Sequence, residues 1–365
     1  MIFAVTIMLS LLYAILLILL LVGFSRTAGR LKSSAKADGV SVIVAFRNEA
    51  ANLQRLIDSF NAQVLPCEFW EVIFVDDNST DGSSDLVSSA SKSFNFSLIT
   101  LSGIEGKKPA IIEGVKIANF NLIAITDADC IVSATWLSDL VEHGDLALVQ
   151  RPVIVDAQSS AVNMFEALDY ASLMATSVGS FGLGRPVIAA SANLAFRKDL
   201  VDVNSESLRA DISSGDDMFL LHSAKRKKGN RLSFDLSRKG FVSTRFDGGF
   251  AGFIRRRKRW ASKASGYKDI DTIVVASAVL LLNLWIVCLL VLHLLGYSSI
   301  YNLLIAWLVK TAVDFLLLFV YLKRTNQLKL MLVFLPLQLI YPIYISYSAI
   351  AGLLGGQIWK GRQIN

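Results

Sequence analysis

Asn121-Leu-Ile-Ala-Ile-Thr-Asp-Ala-Asp-Cys130 joins a short apolar run to a pair of carboxylates. The apolar part has the length and composition of a buried central strand, and Asp127 and Asp129 come directly after it. Because side chains alternate along an extended chain, both carboxylates project to the same side. The carboxyl ends of strands in an open α/β sheet border the ligand crevice, and two hard oxygen donors there favour Mg²⁺ or Mn²⁺. A solvated turn after a strand is the alternative explanation of the same tripeptide.

Apolar segments alternate with amphipathic ones in the first part of the chain. The apolar segments predict strands at residues 40–46, 71–75, 97–101 and 122–126. Helical spacing after the first strand connects Leu53, Leu56, Ile57 and Phe60. We expect Asn48 to cap this helix, and a further helix is predicted over residues 107–118. Strands that alternate with helices predict an α/β fold with a doubly wound sheet, and the glycine patterns of dinucleotide-binding and P-loop proteins are absent.

The chain is too apolar for an ordinary soluble enzyme, since its 365 residues are 53% hydrophobic and its mean hydropathy is +0.52. Runs long enough to cross a bilayer are found at residues 2–24, 273–295, 300–322 and 330–354. We expect all four to span a membrane, although Pro336 and Pro342 leave open a re-entrant course for the last run. Lys310 and Asp314, which are four residues apart in the third run, are expected to neutralise each other.

Basic residues follow the first apolar run and none precedes it, which predicts an uncleaved anchor with a cytoplasmic C-terminal flank. These residues are Arg26, Arg30, Lys32 and Lys36. We therefore predict a transmembrane anchor at residues 1–24 and one cytosolic domain at residues 25–271 that ends in a basic interfacial segment. A membrane region of two or three helices at residues 272–356 and a short polar tail at residues 357–365 complete the predicted organisation.

Charge and cysteine content narrow the classes of partner and cofactor. The net charge is +6, and its basic clusters at residues 225–228 and 255–259 favour contact with anionic lipid over nucleic acid, because one of them precedes a membrane span. Three cysteines without metal-type spacing indicate a reducing compartment and no zinc site.

Seven motifs follow one another in the predicted cytosolic domain. They are Val42-Ile-Val-Ala-Phe-Arg-Asn-Glu49, Val75-Asp-Asp-Asn-Ser-Thr-Asp-Gly-Ser83, Gly106-Lys107, Thr126-Asp-Ala-Asp129, Ser191-Ala-Asn-Leu-Ala-Phe-Arg197, Gly215-Asp-Asp217 and Arg256-Arg-Lys-Arg-Trp260. In sequence and order they resemble the GT-A domain of the membrane-bound family 2 inverting glycosyltransferases. The last motif resembles the (Gln/Arg)-x-x-Arg-Trp signature of ceramide glucosyltransferase-like and polysaccharide synthase-like members. The likeness covers residues 40–260 and implies a GT-A cytosolic domain, doubly wound and similar to nucleotide-diphospho-sugar transferases, with transmembrane helices.

The resemblance implies a role for each motif. The nucleotide sugar would be bound by Glu49, Asp76, Asp77, Lys107 and Asp127. Asp127 and Asp129 would also hold a divalent metal, Mg²⁺ or Mn²⁺, at the diphosphate. Asp217 would be the general base, with Asp216 as the weaker candidate. The catalytic set would be completed by Arg256, Arg259 and Trp260.

Structural alternatives exist for several of these motifs. An Asx turn also explains Asp76 and Asp77, and acidic residues such as those at 216–217 are favoured at helix N-termini without any ligand. An interfacial anchor explains part of the basic run equally well, namely Arg255, Arg257 and Lys258. His222 and Cys130 are given no role, because single residues of these types are more often packed than catalytic.

The activity implied by the resemblance is the transfer of a sugar from a nucleotide sugar, expected to be UDP-linked, to the hydroxyl of a membrane lipid with inversion. The expected location is a bacterial cytoplasmic membrane, with the catalytic domain facing the cytoplasm and no nucleic-acid partner. Two alternatives stay open: a polysaccharide synthase that extends a glycan, and a non-catalytic nucleotide-sugar-binding membrane protein. A lipid acceptor is preferred, because a growing polysaccharide needs a lined exit channel and a few spans offer little wall for one.

Overall fold

The computed structural model of the chain describes residues 1–30, 33–103, 105–157, 160–212, 214–246, 248–353, 357–359 and 362–364. Two compact units are formed from interleaved segments. The helical unit consists of Met1–Arg26, Ala157–Val187 and Phe246–Gly355. The sheet unit consists of Thr27–Asp156, Ile188–Arg245 and Gly356–Asn365. This division follows packing, whereas the boundaries predicted at residues 24 and 271 concern membrane topology and stay predictions.

The regular elements are numbered in chain order. The helices are α1 (Ile2–Arg30), α2 (Ala50–Asn61), α3 (Ser83–Ser89), α4 (Lys107–Ile117), α5 (Trp136–Leu140), α6 (Ala161–Leu183), α7 (Asp216–Arg226), α8 (Gly249–Ser262), α9 (Ile270–Leu294), α10 (Ile300–Thr325) and α11 (Phe334–Leu353). The strands are β1 (Val40–Phe46), β2 (Trp70–Asp76), β3 (Asn95–Thr100), β4 (Leu122–Ile125), β5 (Ile131–Val132), β6 (Leu148–Gln150), β7 (Val153–Val155), β8 (Leu194–Arg197), β9 (Leu232–Phe234), β10 (Val242–Thr244), β11 (Gln357–Trp359) and β12 (Arg362–Ile364).

The sheet unit is built on a seven-stranded sheet with the order β3-β2-β1-β4-β8-β6-β9. The strands β1 to β4 are parallel, which confirms the predicted alternation of strands and helices. β1 is central in this part of the sheet, since it pairs with both β2 and β4. Its sequence is almost entirely apolar because its side chains are covered on both faces of the sheet. β8 runs antiparallel to both β4 and β6, so the sheet is mixed rather than wholly parallel. A smaller sheet has the order β5-β10-β7.

The turns after β1 and β2 are joined by hydrogen bonds. The Arg47 guanidinium donates to the carbonyls of Asp77 and Asn78, at 2.5 and 3.0 Å. The backbone N–H of Thr80 donates to the Asn48 side-chain oxygen at 2.8 Å, and Asn48 itself has a positive φ of 52°. The prediction that Asn48 caps α2 is therefore wrong, because its amide is used to bind the neighbouring turn. These hydrogen bonds fix the carboxyl ends of β1 and β2 relative to each other.

An acid from the second turn takes over the capping of α2. The Asp81 carboxylate accepts from the backbone N–H of Ala50 at 3.0 Å, at the first residue of α2, and also from the backbone N–H and hydroxyl of Ser83. A carboxylate at the positive end of a helix satisfies backbone donors that have no partner within the helix. The N-terminus of α2, which follows the first turn, is thus capped by an acid of the second turn that is 31 residues away in sequence.

Within the part of the chain that the structure describes, four helices are long and apolar enough to cross a membrane, at Ile2–Thr27, Ile270–Leu294, Ile300–Thr325 and Leu328–Gly352. They coincide with the four predicted apolar runs, and the last continues as a helix through Pro342. α6 and α8 belong to the helical unit.

A buried polar network connects three of these helices. Lys310 is fully buried and lies 2.7 Å from Asp314, as predicted, and its ammonium also donates to the Gln338 side-chain oxygen at 2.6 Å. The Tyr13 hydroxyl of α1 donates to the other oxygen of Asp314 at 2.6 Å. Charges inside an apolar environment are tolerated when they are paired and hydrogen-bonded in this way.

Replacing Asp81 by Ala should lower the stability of the chain by about 1 kcal/mol, the usual value of a helix cap, and the midpoint of thermal unfolding by about 2–4 °C. Burial raises the pKa of Asp81, but hydrogen bonds from Ser83 and Ala50 outweigh it and lower the pKa overall. The stabilisation is therefore full above about pH 4, the pKa of an unfolded aspartate, and is lost as the pH falls through the lower folded-state value. Thermal unfolding in detergent at several pH values measures the effect, with the exposed Asp58→Ala variant on α2 as the control; equal midpoints for the two variants at pH 7 would refute the shared cap.

Candidate active site

Lys107 is the centre of the polar cluster at the carboxyl edge of the large sheet. It is the first residue of α4, and its ammonium donates to Asp127 at 2.5 Å and to the Ser191 hydroxyl at 2.7 Å. The same nitrogen lies 3.3 Å from the carboxylate of Asp216. Burial alone lowers the pKa of Lys107, but the charges of Asp127, Asp216 and Asp217 outweigh it and raise the pKa. Lys107 is thus a fixed cation among several carboxylates.

The predicted metal ligands lie next to this cation. β4 ends at Ile125, and Asp127 and Asp129 are both partly exposed after it. Burial, followed by the charges of Asp127 and Glu49, raises the pKa of Asp129 to about 7, against a smaller opposing effect of Lys107. The charges of Asp127 and Glu49 thus act on Asp129 more strongly than the opposing charge of Lys107. This excess of negative charge, carried by hard oxygen donors, suits a divalent cation such as Mg²⁺ or Mn²⁺.

The acids of the β2 turn are separated into two different environments. Asp76 accepts from the N–H and the hydroxyl of Ser79 with one oxygen and from Ser84 with the other, so its carboxylate holds the turn together. Asp77 accepts from the backbone N–H of Gly106 at 3.0 Å. Gly106 directly precedes α4 and adopts a positive φ of 114°, a conformation that glycine tolerates well. By binding its N–H, Asp77 also fixes the start of α4.

The two acids at the start of α7 are likewise different. Asp216 is buried and its carboxylate faces Lys107. Asp217 is partly exposed, and its side chain accepts from the backbone N–H of Met218 at 2.7 Å. Of the two, Asp217 is the more exposed to solvent, and its role as the general base stays a prediction.

The turn that carries Ser191 is held against β4 by buried side chains. The Thr126 hydroxyl donates to the carbonyl of Ala192 at 2.9 Å. Gln150 accepts from the N–H of Ala190 at 2.8 Å and donates to the carbonyl of Asn193 at 3.1 Å. Ser191 therefore has a fixed place beside Lys107, although its hydroxyl was not predicted as a site residue.

The basic motif on α8 is part of the helical unit, where buried acids from α6 pair with it. Arg256 makes two hydrogen bonds to Glu166, at 2.5 and 2.7 Å. Arg257 is buried and pairs with Asp169, and it also donates to the Tyr344 hydroxyl at 3.1 Å. The interfacial-anchor explanation of Arg257 is therefore wrong, because a buried guanidinium in an ion pair does not reach lipid phosphates.

Trp260 lies in an aromatic cluster of the same unit. Its ring centroid is 5.8 Å from that of Tyr170 and 6.2 Å from that of Phe246. The Arg256 guanidinium stacks over Phe246 at 4.9 Å. Arg259 is partly exposed and lies one residue before Trp260 on α8.

The structure brings most of the predicted sheet-unit residues together, namely Glu49, Lys107, Asp127, Asp129 and Asp217. The helical unit contains Arg256, Arg259 and Trp260. Sequence reasoning missed Glu166 and Asp169, which are spaced three residues apart in an otherwise apolar stretch. Two acids at that spacing face the same side of a helix, and this pattern was the available signal.

Another group among the described residues has the spacing of metal ligands: Asp139, His143 and Asp235, whose ligand atoms lie within 4.8 Å of one another. The guanidinium of Arg151 already lies between the two carboxylates, donating to Asp139 and, at 3.2 Å, to Asp235. A Cβ on Gly240 would come within 2.1 Å of that guanidinium, so only glycine at this position leaves room for the Arg151 side chain. Arg151 supplies the positive charge, and we assign no metal to this group.

Comparison with known families gives two matches. The family model for glycosyl transferase family 2 matches residues 41–156. The family model for glycosyl transferase family group 2 matches residues 122–345. Together they extend from β1 to the last apolar helix.

Two curated relatives are similar over part of the chain. The poly-beta-1,6-N-acetyl-D-glucosamine synthase of Staphylococcus epidermidis is 24% identical over 143 residues, which are 38% of this chain and 34% of the synthase. Glycosyltransferase AglE of Haloferax volcanii is 29% identical over 99 residues, or 27% of this chain and 33% of the relative. The chain thus aligns with about a third of the length of these relatives.

A solved structure is similar over nearly the full length. The mannosyltransferase PcManGT from Pyrobaculum calidifontis, in complex with GDP-Man and Mn²⁺, superimposes with a TM-score of 0.56 and 18% identity. The match covers 97% of this chain and 98% of that one, which shows that the GT-A fold is shared. Since the family model for residues 122–345 alone extends over more than half of the chain, the protein is a member of glycosyl transferase family group 2.

Proposed function

We propose that the protein is a membrane-bound inverting glycosyltransferase that uses a nucleotide sugar, a divalent metal and Asp217 as the general base. The observation that carries this proposal is the cluster around Lys107 at the carboxyl edge of a GT-A sheet. The Lys107 ammonium contacts Asp127 and Asp216, Asp217 is near enough to act on it electrostatically, and Asp127 acts in the same way on Asp129. A non-catalytic binding protein has no need for a general base, so the intact acid at position 217 favours an enzyme over the sensor alternative.

The donor would bind along the turns after β1, β2 and β4. Asp77 is proposed to meet the nucleotide base, with Glu49 and Asp127 nearer the ribose and diphosphate. Both oxygens of Asp76 accept hydrogen bonds within its own turn, so its predicted contact with the nucleotide is proposed to be indirect, through the placing of Asp77. We propose a UDP-linked sugar; the mannosyltransferase of the same fold was solved with GDP-Man, so both nucleotides need to be tested.

The metal is proposed to be held by Asp127 and Asp129. In support of this site, burial and the charges of Asp127 and Glu49 raise the pKa of Asp129 to about 7, so an added cation would be favoured there. A bound divalent metal would stabilise the negative charge on the diphosphate leaving group. Lys107 adds a fixed positive charge on the same side, and Asp127 and Ser191 hold its ammonium in place.

The chemical step forms one bond and breaks one. An acceptor hydroxyl attacks the anomeric carbon from the face opposite the diphosphate, and its proton passes to the carboxylate of Asp217. The carbon–oxygen bond to the diphosphate breaks, the electron pair leaves with the diphosphate, and the anomeric centre is inverted. Arg256, Arg259 and Trp260 are proposed to assist at the phosphate and at the sugar, since arginine pairs with phosphate and an indole face packs on a sugar ring.

The acceptor is proposed to be a membrane lipid, because few helices are available to line a channel for a polymer. A polysaccharide is the second candidate, and the similarity to a poly-beta-1,6-N-acetyl-D-glucosamine synthase favours it. That similarity extends over 143 residues, which are only 34% of the synthase.

Product analysis in proteoliposomes distinguishes the two acceptors. With radiolabelled UDP-sugars and GDP-sugars supplied in turn, we expect a single glycolipid in the organic phase. A ladder of lengthening glycans would replace the lipid acceptor by the polysaccharide alternative. Failure to transfer from every donor, together with retained nucleotide binding, would support the non-catalytic alternative.

The Asp217→Asn variant should lose about a thousandfold in kcat, because general-base catalysis commonly contributes 10²- to 10⁴-fold. Its affinity for the nucleoside diphosphate should stay within about threefold of the wild type, since the amide keeps the size of the carboxylate. Titration calorimetry and a single-turnover transfer assay measure the two quantities. Asp85→Asn, at an exposed acid in the first turn of α3, is the matched control; wild-type turnover by Asp217→Asn would overturn the base assignment.

The Asp129→Asn variant should bind Mn²⁺ at least about tenfold more weakly in the presence of the nucleoside diphosphate, a loss comparable to that of a supporting partner in known metal sites. The physical reason is that an uncharged amide oxygen replaces one of the two proposed carboxylate ligands, which removes half of their negative charge. Electron paramagnetic resonance of free Mn²⁺ measures the affinity, and Asp58→Asn on the solvent face of α2 serves as the control. Equal Mn²⁺ affinity in both variants, or full activity in excess chelator, would argue against this metal site.

A further inference from the structure

Lys108, the residue after the central lysine, is buried although it carries a charge. Only 2% of its surface is exposed. Its ammonium donates to two backbone carbonyls, that of Arg209 at 2.9 Å and that of Ile212 at 2.6 Å. It also lies 4.3 Å above the ring centroid of Phe219 on α7. An ammonium is costly to bury, and this one is compensated by the segment that leads into α7 and by α7 itself.

The segment held by Lys108 has an unusual backbone. Residues 204–212 form successive turns that are closed by local hydrogen bonds, among them Ala210 to Ser205 at 2.9 Å and Ile212 to Arg209 at 2.9 Å. Arg209 adopts a positive φ of 50°, which is unfavourable for a residue with a long side chain. Such a conformation persists where the surroundings enforce it, and the carbonyl of this same residue accepts from Lys108.

Three consecutive residues at the start of α4 therefore hold three parts of the site. The N–H of Gly106 binds Asp77, the ammonium of Lys107 binds Asp127 and pairs with Asp216, and the ammonium of Lys108 binds the segment before α7. The predicted base, Asp217, is the second residue of α7. The helix that carries Asp217 is thus also the one whose Phe219 ring lies under the Lys108 ammonium.

We propose that Lys108 is a positioning residue for Asp217, and this inference rests on the proposed function. Its ammonium fixes residues 209–212 and the first turn of α7, and thereby the reach of the Asp217 carboxylate towards the acceptor hydroxyl. Lys108 does not touch substrate itself. Small displacements of a catalytic group by about 1 Å are enough to lower rates by two orders of magnitude, so the loss of this contact should act on kcat.

The test uses the full chain in proteoliposomes and compares Lys108→Met with Lys116→Met. Methionine keeps the apolar stem on Phe219 and removes the charge, and Lys116 is an exposed lysine of the same helix, paired with Glu113. We expect Lys108→Met to lower kcat by about 10- to 100-fold with affinity for UDP within about threefold of wild type. Lys116→Met should match the wild type, and Lys108→Arg should recover part of the rate because it keeps a cationic donor.

A double variant separates positioning from general destabilisation. In the Asp217→Asn background, Lys108→Met should cause no further loss of the residual single-turnover rate, because the base on which it acts is already gone. An equal loss in both backgrounds, or a kcat of Lys108→Met equal to that of Lys116→Met, would overturn the proposal. If Lys108→Met does not accumulate as folded protein, Lys108→Gln replaces it, and its kcat is expected to lie between those of wild type and Asp217→Asn; a wild-type kcat overturns the proposal.

The inference and the proposed function fail in different ways. If the wild type transfers no sugar from any UDP or GDP donor, the proposed function fails and the inference falls with it. If the wild type transfers sugar and Lys108→Met does so at the same rate, only the positioning role of Lys108 is refuted.

Discussion

The balance of charge at the carboxyl edge of the large sheet is the constraint on which the rest of the site depends. Lys107 is one positive charge facing the carboxylates of Asp127, Asp216 and Asp217, and Asp129 stands beside them with its proton affinity raised. Under the proposed function, a site this acidic would bind an anionic diphosphate only together with further positive charge. Binding of the donor and binding of a metal are therefore expected to support each other.

The sheet around the site was predictable from local pattern, but its connections were not. The apolar runs gave β1 to β4 and the position of Asp127 and Asp129 at a strand end, because periodicity and strand-end chemistry are properties of neighbouring residues. The contacts of Asn48, Asp81 and Lys108 reach residues 30 or more positions away, and Lys108 contacts residues 101 and 104 positions away. The tertiary fold likewise decides that Lys107 pairs with Asp216, and the sequence alone did not indicate this pairing.

The basic motif on α8 illustrates how one run of charge is divided among different tasks. Arg256 and Arg257 are adjacent, and both are matched by acids of α6, Glu166 and Asp169. Buried pairs of this kind contribute little net stability, yet removal of one partner leaves an uncompensated charge and is costly. Their main effect is therefore to fix the orientation of α8 and of Trp260 relative to α6, rather than to raise the free energy of unfolding. The sequence showed the arginines but not their partners.

The hydrogen bond between Tyr13 and Asp314 joins residues separated by 301 positions, and this has a consequence for biosynthesis. α1 is synthesised long before α10, so the Tyr13 hydroxyl is without its final partner, Asp314, while the chain is being made. A phenol tolerates such a delay far better than an ionised side chain does. Lys310 and Asp314, which are one helical turn apart, are by contrast made almost simultaneously and can neutralise each other at once. The order of translation thus agrees with a distribution in which the early helix contributes the neutral hydroxyl and the late helix contributes both charges.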